Sequence, residues 1–462
     1  MTNGGAGPSG TDSDFFQHII MNKNFKGDGE KLRTELAKYA RQICSEYLHP
    51  ALIMPYLNSR LIPLNKCPGI RPIGIGETVR RIVGKAVAWT MKQDIQGVAG
   101  PLQVCTGLKS GAEAAVHFIR EKFREETAQA CILVDASNAF NSVNRQVMLH
   151  NIQRQLPELA PVAINMYRNE SRLFVSGTAI TSSEGTTQGD NLAMSLFALA
   201  TLPILQHLER LTIAWQVWLA DDATAVGTLA RLQHWWRLIV EEGKKYGYHV
   251  NATKSCLVLK NSEDLSVAQE LFGPSGIRIS SEGQRHLGSV IGSADFTASY
   301  IEGLVNEWES MINNLSVFAR TQPHAAYCAF THGVRHKITY FMRTIEGLGK
   351  YLQRIDKLID EKLIPALYGC KITPFERRVS ALPVRYGGIG LPILSHIAAE
   401  EFEVSLKVTR GLISRMTGTT LDEPEDMRST MATVHTTKDE KYEAEYNSLL
   451  NLRRVTQSSP EC

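Results

Sequence analysis

Two adjacent acids, Asp221 and Asp222, constrain the fold of this chain more than any other feature of its sequence. They separate a short, mostly apolar run at residues 215–219 from a second one at residues 223–226. Short apolar runs on either side of two polar residues predict a β-hairpin, with at least one carboxylate facing an open cleft. A bare carboxylate is costly to bury without a positive partner, and Mg²⁺ prefers hard oxygen ligands. The alternative is an ordinary turn whose two acids are solvated.

A second segment adds another acid. Residues 130–134 are apolar and predict a strand that ends at Asp135. A strand that delivers one acid and a hairpin that presents two more supply the carboxylates of a two-metal site, in which ions about 3.5–4 Å apart bind both oxygens of an in-line displacement. Phosphoryl transfer is therefore the predicted reaction class.

Three motifs in this chain resemble, in this order, the palm motifs of reverse transcriptases. They are Asp135 with Ala139-Phe140-Asn141, Gly185-Thr186-Thr187-Gln188-Gly189-Asp190, and Ala220-Asp221-Asp222. Further segments extend the resemblance over roughly residues 55–395: 61–66 and 69–73 resemble the fingers strands, 251–255 a following palm motif, 286–288 the primer-grip hairpin and 382–390 a tail segment of retroelement polymerases. The resemblance implies the reverse transcriptase domain of a retroelement, of the non-LTR or DIRS-like type.

The implied fold is α+β, a right-hand polymerase with fingers, a palm in which an antiparallel sheet packs on helices, and a helical thumb. The expected divisions are a disordered N-terminus and leading helix at 1–50, fingers at 51–129, the catalytic palm at 130–262, the primer-grip hairpin and helical thumb or connection at 263–400, and a polar C-terminal tail at 401–462. Within these divisions we expect disorder over residues 1–13, a single helix over residues 79–95 and a linker at residues 421–426.

The resemblance also implies roles for individual residues. The expected catalytic residues are Asp135, Asp221 and Asp222. The expected ligands of two Mg²⁺ ions, with Mn²⁺ as the alternative metal, are Asp135, the backbone carbonyl of Ala136, Asp221 and Asp222. The expected dNTP-binding residues are Lys66, Arg71, Ala139, Phe140, Gln188, Gly189 and Lys254.

Phe140 falls where the family places a sugar-sensing aromatic residue, so a dNTP is the expected substrate; the alternative is a core phenylalanine. The chain departs from the family pattern at three positions. Leu219 stands where most members carry an aromatic residue, Asn191 replaces a common proline, and Asn141 stands where many relatives have aspartate. None of these changes removes an expected metal ligand.

Charge supports a phosphate-bearing partner. Between residues 60 and 92 the only acid is Glu77, whereas the basic residues are Arg60, Lys66, Arg71, Arg80, Arg81, Lys85 and Lys92. Such a bias is typical of a surface that binds nucleic acid. The alternative is a solvated basic helix face.

The expected function is an RNA-directed DNA polymerase that extends a DNA primer on an RNA template with dNTPs. The alternatives are a catalytically inactive, retroelement-derived protein that binds RNA as a scaffold, and a polymerase that copies DNA.

No apolar run reaches the roughly 18 residues of a membrane span, so no membrane partner is expected. The scattered cysteines predict reduced thiols in an intracellular compartment, nucleus or cytoplasm. A fourfold histidine and cysteine series at residues 324–336 is too extended along a helix for one zinc ion.

Overall fold

The computed structural model describes residues 5–66, 69–419 and 427–458, with side chains described as far as residue 453. The predicted linker at residues 421–426 lies outside the described residues, as do the first four residues of the segment predicted to be disordered. Residues 5–12 carry neither helix nor strand, and Ser9 donates hydrogen bonds to the carboxylate of Glu77 from its amide (2.8 Å) and its hydroxyl (2.7 Å).

The chain combines helices with short strands. The strands are β1 Ser59–Asn65, β2 Ile70–Gly76, β3 Ala130–Val134, β4 Ser171–Val175, β5 Thr178–Ser182, β6 Trp215–Leu219, β7 Asp222–Gly227, β8 Cys256–Leu259, β9 Arg278–Ser280, β10 Gly283–His286 and β11 Ser289–Gly292.

The first twelve helices are α1 Ser13–Met21, α2 Lys26–Ser45, α3 Pro50–Leu57, α4 Thr78–Thr90, α5 Lys92–Ala99, α6 Gly111–Arg124, α7 Ala139–Ser142, α8 Arg145–Gln155, α9 Ala160–Tyr167, α10 Ala193–Thr212, α11 Leu229–Glu242 and α12 Leu265–Phe272. The later helices are α13 Ala294–Ala319, α14 Pro323–Ala329, α15 Arg335–Thr344, α16 Gly349–Leu358, α17 Ile364–Tyr368, α18 Pro374–Ala381, α19 Leu394–Thr417 and α20 Met427–Ser458.

These elements form two compact units. Unit 1 consists of Met1–Lys109, Glu125–Leu257 and Glu263–Ile279, and unit 2 of Ser110–Arg124, Val258–Ser262 and Ser280–Cys462. The predicted boundaries of fingers, palm and thumb stay predictions, because the two units divide the chain differently.

Unit 1 is organised by two sheets. One has the strand order β2-β1-β4-β5, with β1 and β4 parallel and the other neighbours antiparallel. The other has the order β6-β7-β3-β8-β9, and most of its residues belong to unit 1. Helix α11 packs on β3 and β7 and against α10, and it buries Trp235 completely. The α+β class expected from the sequence is confirmed.

The helix expected over residues 79–95 is present in two parts. Helix α4 ends at Thr90, and α5 begins at Lys92. Met91 lies between them with φ −92° and ψ 10°, outside the usual helical values, although its amide still donates to the carbonyl of Val87 at 2.9 Å. Apolar spacing alone does not indicate this break, because the buried stripe continues across it through Val83, Val87 and Ile95.

Among the residues that the structure describes, unit 2 is mainly helical; its strand residues are the β10–β11 hairpin, the end of β8 and the last residue of β9. Helix α19 packs against α6, α15 and α16. It buries Phe402, Val404, Val408 and Leu412, so the segment from residue 401 does not begin as the polar tail that composition predicted. Val404, Val408 and Leu412, spaced four residues apart, form one apolar helix face, which the polar and basic residues between them conceal in the composition.

Helix α6, which the sequence places with the fingers, belongs to unit 2. Its His117 lies in a buried polar chain: Arg120 approaches Nδ1 at 3.4 Å, and Nε2 lies 2.9 Å from the hydroxyl of Ser405. Ser405 donates its own proton to Glu113 at 2.7 Å, so the Nε2–H of His117 must donate to Ser405. Arg343 also donates to Glu113, at 3.1 Å. These bonds tie α6 to α15 and α19.

In the part of the chain that the structure describes, no helix has the length and apolar character that crossing a membrane requires.

Candidate active site

A cavity of about 490 Å³ in unit 1 collects nearly all the residues that the sequence motifs singled out. The predicted site residues on its wall are Lys66, Arg71, Asp135, Ala136, Ala139, Phe140, Gln188, Gly189, Asp221 and Asp222. Lys254 is not among the lining residues; it is exposed, and its amide donates to the carbonyl of Asn251 at 3.2 Å. Residues that the motif reading did not assign to the site also line the cavity, including Asn138, Asp190 and Met194.

Strand pairing brings the three acids to one edge of the sheet. Strand β3 pairs antiparallel with β7 so that Val134 lies opposite Ala223, and Asp135 and Asp222 are the next residues along the two strands. Strands β6 and β7 form the predicted hairpin, with Leu219 opposite Asp222. Ladder register therefore places Asp135 beside the turn that carries the other two acids.

The hairpin turn is held by side chains that the sequence reading missed. Ala220 has a left-handed backbone, with φ +58°. The fully buried side chain of Gln103 accepts from the amide of Ala220 at 2.9 Å and donates to its carbonyl at 3.2 Å. The hydroxyl of Tyr248 donates to the carbonyl of Asp221 at 2.7 Å. Neither residue belongs to one of the three palm motifs. Each is distant from the turn in the sequence, so its role there is visible only in the structure.

The acids carry unfavourable electrostatics. Burial, followed by repulsion from Asp221 and Asp135, raises the pKa of Asp222 to about 6. Burial, with repulsion from Asp135, also raises the pKa of Asp221, although Lys66 and Arg71 act in the opposite direction. Carboxylates in this condition are stabilised by positive charge.

The metal question has two sides. Across the described residues, no group of three or more His, Cys, Asp or Glu side chains is arranged to hold a metal ion as it stands, the series at residues 324–336 included. The donor chemistry of the cavity nevertheless fits divalent cations, because hard carboxylate oxygens crowd together there and repel one another. A metal role for Asp135, Asp221 and Asp222 is therefore a proposal, taken up below.

Lys66 and Arg71 supply positive charge to the cavity that contains the acids. Both are exposed and line the cavity, and they come from the ends of β1 and β2 that face each other across the hairpin turn. Arginine suits planar, two-point phosphate contacts, and lysine provides a point charge. This arrangement can hold a phosphate chain next to the acids.

Phe140 lies at the cavity wall rather than in the fully buried core. Its ring stacks on that of Phe197 in α10, with centroids 4.6 Å apart and an interplanar angle of 24°. Its carbonyl accepts from the amide of Thr186 at 2.6 Å and from the hydroxyl of that residue at 3.2 Å. The half-buried ring is therefore fixed in place while part of it stays accessible to the cavity.

The turn at Gln188 and Gly189 lies directly on β2. The carbonyl of Gln188 accepts from the amide of Gly74 at 2.7 Å. Gly189 has φ +108°, and a Cβ atom there would lie 2.5 Å from the carbonyl oxygen of Gly74. Only glycine fits this position, as expected where two backbones approach closely.

Comparison with known proteins agrees with the motif reading. Residues 62–291 match the family described as reverse transcriptase (RNA-dependent DNA polymerase). No curated protein matches the chain at a significant level.

Three solved telomerase structures resemble the chain. Telomerase from Candida albicans, in complex with a fragment of telomeric RNA, aligns at 9% identity and a TM-score of 0.47, over 85% of this chain and 66% of that one. Apo telomerase from Candida tropicalis aligns at 12% identity and a TM-score of 0.41, over 78% and 67%, respectively. A form of the latter without its C-terminal domain aligns at 12% and 0.36, over 44% and 50%.

The chain thus spans half to about two thirds of the length of these telomerase chains. The family match confirms the family predicted from the three palm motifs, whereas the retroelement type stays a prediction. Residues 62–291 of this chain form a domain of the reverse transcriptase family.

Proposed function

We propose that this chain is an RNA-directed DNA polymerase that adds dNTPs to a primer 3′-hydroxyl by two-metal phosphoryl transfer. Membership of the reverse transcriptase family supports the reaction class. The observation that carries the proposal is the cavity, where acids from β3 and the β6–β7 hairpin share a wall with Lys66, Arg71 and the Gln188–Gly189 turn.

The reaction joins the primer 3′-oxygen to the α-phosphorus of the dNTP and breaks the bond from that phosphorus to the pyrophosphate leaving group. Asp135 and Asp221 would hold two Mg²⁺ ions, with Asp222 and the carbonyl of Ala136 completing the site. When bound, such ions stabilise negative charge on the attacking and leaving oxygens. The protein's own part is to gather the carboxylates and to place the substrate.

Substrate placement uses the remaining wall of the cavity. Lys66 and Arg71 would contact the triphosphate, and Ala139 and Phe140 would lie under the sugar. A flat ring held by stacking on Phe197 would leave no room for a ribose 2′-hydroxyl under the sugar, which supports a preference for dNTPs. Gln188 and Gly189 would lie against the incoming nucleotide and the template, with the backbone at close range.

The expected partners are an RNA template and a DNA primer. An origin in a retroelement and a reducing intracellular compartment also stay proposals. The described cysteines are all free, which is consistent with a reducing environment.

Primer extension tests the proposal. Wild-type protein is assayed with RNA and DNA templates, with dNTPs and rNTPs, and with and without Mg²⁺; Asp135→Asn and Asp221→Asn should reduce dNTP incorporation to background. The matched control is Asp28→Asn, since Asp28 lies on α2 with its side chain 73% exposed. Incorporation by either active-site variant at the wild-type rate would refute the site. A wild type that binds RNA but incorporates nothing would instead indicate the inactive scaffold.

A further inference from the structure

A buried cluster of Arg80, Tyr167 and Asp190 lies behind the cavity wall in unit 1. The side chains of Arg80 and Asp190 are 4% and 3% exposed, and Tyr167 is 2% exposed. Arg80 donates to the carboxylate of Asp190, and the hydroxyl of Tyr167 donates to the same oxygen at 2.8 Å. The basic bias of residues 60–92 predicts that Arg80 faces a phosphate-bearing partner, whereas the structure pairs it internally with Asp190.

Each member of the cluster has further hydrogen bonds. The second oxygen of Asp190 accepts from the amide of Leu192 at 2.9 Å, and Arg80 also donates to the carbonyl of Leu57 at 2.6 Å. The Tyr167 oxygen accepts from the amide of Thr187 at 3.3 Å. Burial, with the negative charge of Asp190, raises the pKa of Tyr167, so its hydroxyl stays protonated and remains a donor. Asp190 lines the cavity, but both of its carboxylate oxygens already accept hydrogen bonds within the protein.

A buried ion pair is weak evidence for stability, because removing two charges from water offsets most of their attraction. The consistent effect of a buried ion pair is to fix the positions of both side chains, because moving either one would leave a buried charge unpaired. Here the arrangement concerns a short segment: Thr187 and Asp190, at either side of Gln188 and Gly189, are both bonded to the hydroxyl of Tyr167.

The same segment is packed against β2 without slack. The amide of Gly74 donates to the carbonyl of Gln188 at 2.7 Å, and a Cβ atom on Gly74 would lie 2.3 Å from the side chain of Thr187. Strand β2 also carries Arg71, three residues before Gly74. Any displacement of residues 187–190 therefore moves the contact surface that Gln188 and β2 present to the cavity.

We propose that Arg80, Tyr167 and Asp190 are positioning residues that fix the Gln188–Gly189 turn on β2 and thereby set the affinity for the incoming nucleotide. This inference rests on the proposed function, in which that turn contacts the dNTP. The cluster touches no substrate and acts only through the turn and the strand.

The test uses Tyr167→Phe and Asp190→Asn in the full chain. Tyr167→Phe keeps the Arg80–Asp190 pair and removes one hydroxyl, so it is the milder variant and keeps the test informative if Asp190→Asn folds poorly. The matched control is Arg377→Lys in unit 2, where a buried arginine donates to the carbonyls of Leu391 (2.7 Å) and Pro392 (3.4 Å) and lines no part of the cavity.

Two readouts separate positioning from general stability. In steady-state primer extension, Tyr167→Phe should raise the KM for dNTP about fivefold and Asp190→Asn at least about tenfold, with kcat within about twofold, as the loss of one or more hydrogen bonds predicts. In hydrogen exchange, the peptide covering residues 70–76 should exchange faster in both variants. Arg377→Lys should change neither quantity, although it lowers global stability.

Three results would overturn the inference: unchanged KM in both variants, an equal rise in KM for Arg377→Lys, or unchanged exchange of the 70–76 peptide. Failure of this inference can be distinguished from failure of the proposed polymerase function. If the wild type binds a dNTP without incorporating it, the polymerase proposal fails and the Kd for that dNTP replaces KM. If the wild type neither binds nor incorporates dNTPs, both proposals are wrong.

Discussion

Replacing Gln103 with methionine tests whether the hairpin that carries Asp221 and Asp222 is held from outside the catalytic motifs. Gln103 is fully buried, and its amide makes two hydrogen bonds to the backbone of Ala220. Methionine has a similar length and fills irregular space well, so the change removes hydrogen bonds without opening a large cavity.

The magnitude follows from the groups left behind. Ala220 is 6% exposed, so its C=O would be buried without the partner that Gln103 supplies, and its N–H would keep only a weak hydrogen bond to the sulfur of Cys105. Each such group costs about 1–3 kcal/mol, and the free energy of unfolding should fall by about 2–4 kcal/mol after partial relaxation. Because Ala220 holds its left-handed conformation through these bonds, dNTP incorporation should fall as well.

Urea unfolding and primer extension measure the two effects. The matched control is Gln155→Met, also in unit 1, because the Oε1 atom of Gln155 is buried and has no hydrogen-bond partner. Methionine at position 155 should be neutral or slightly stabilising. If Gln103→Met destabilises the protein no more than Gln155→Met does, the hairpin does not depend on Gln103 and the reasoning is refuted.

Two further predictions concern stability. Burial lowers the pKa of His117 to about 4, against about 6.5 in the unfolded chain. As pH falls below 6.5, the unfolded chain takes up a proton at this side chain before the folded protein does. The free energy of unfolding should therefore fall, by about 3 kcal/mol at pH 4. His117→Gln should flatten the pH dependence of urea unfolding over that range; a slope equal to that of the wild type would contradict the prediction. Gly247→Ala should be more destabilising than Gly276→Ala by about 1–3 kcal/mol, because both have φ near +70° but only at Gly247 would a Cβ meet a backbone oxygen, at 1.9 Å. Thermal unfolding compares the two variants, and similar losses of stability would mean that backbone strain alone, without the Cβ clash, accounts for the destabilisation.

The parts of the site that sequence could predict are those specified by residues that are close together in the sequence. An apolar run that ends at Asp135 and two apolar runs around Asp221 and Asp222 each specify a local element, and the structure contains a strand and a hairpin at those places. Motif order then supplied Gln188 and Gly189. All of these residues line one cavity.

The parts that sequence could not predict depend on pairing between distant residues. Gln103 is separated from Ala220 by 117 positions, and Arg80 from Asp190 by 110. A lone glutamine carries no pattern, and an arginine in a basic stretch looks solvated until its buried partner is known. Lys254 shows the opposite case, since its motif is present but its side chain does not line the cavity.

The polar chain around His117 bears on how the polypeptide matures during synthesis. His117 is hydrogen-bonded to Ser405, 288 positions later. Ribosomes add about 5–20 residues per second, so α6 would wait on the order of 15–60 s for its partner helix to be made. During that interval its apolar face and its ionisable groups lack their native neighbours, and a nascent chain arrested before residue 405 should be the form most readily captured by chaperones or cleaved by proteases.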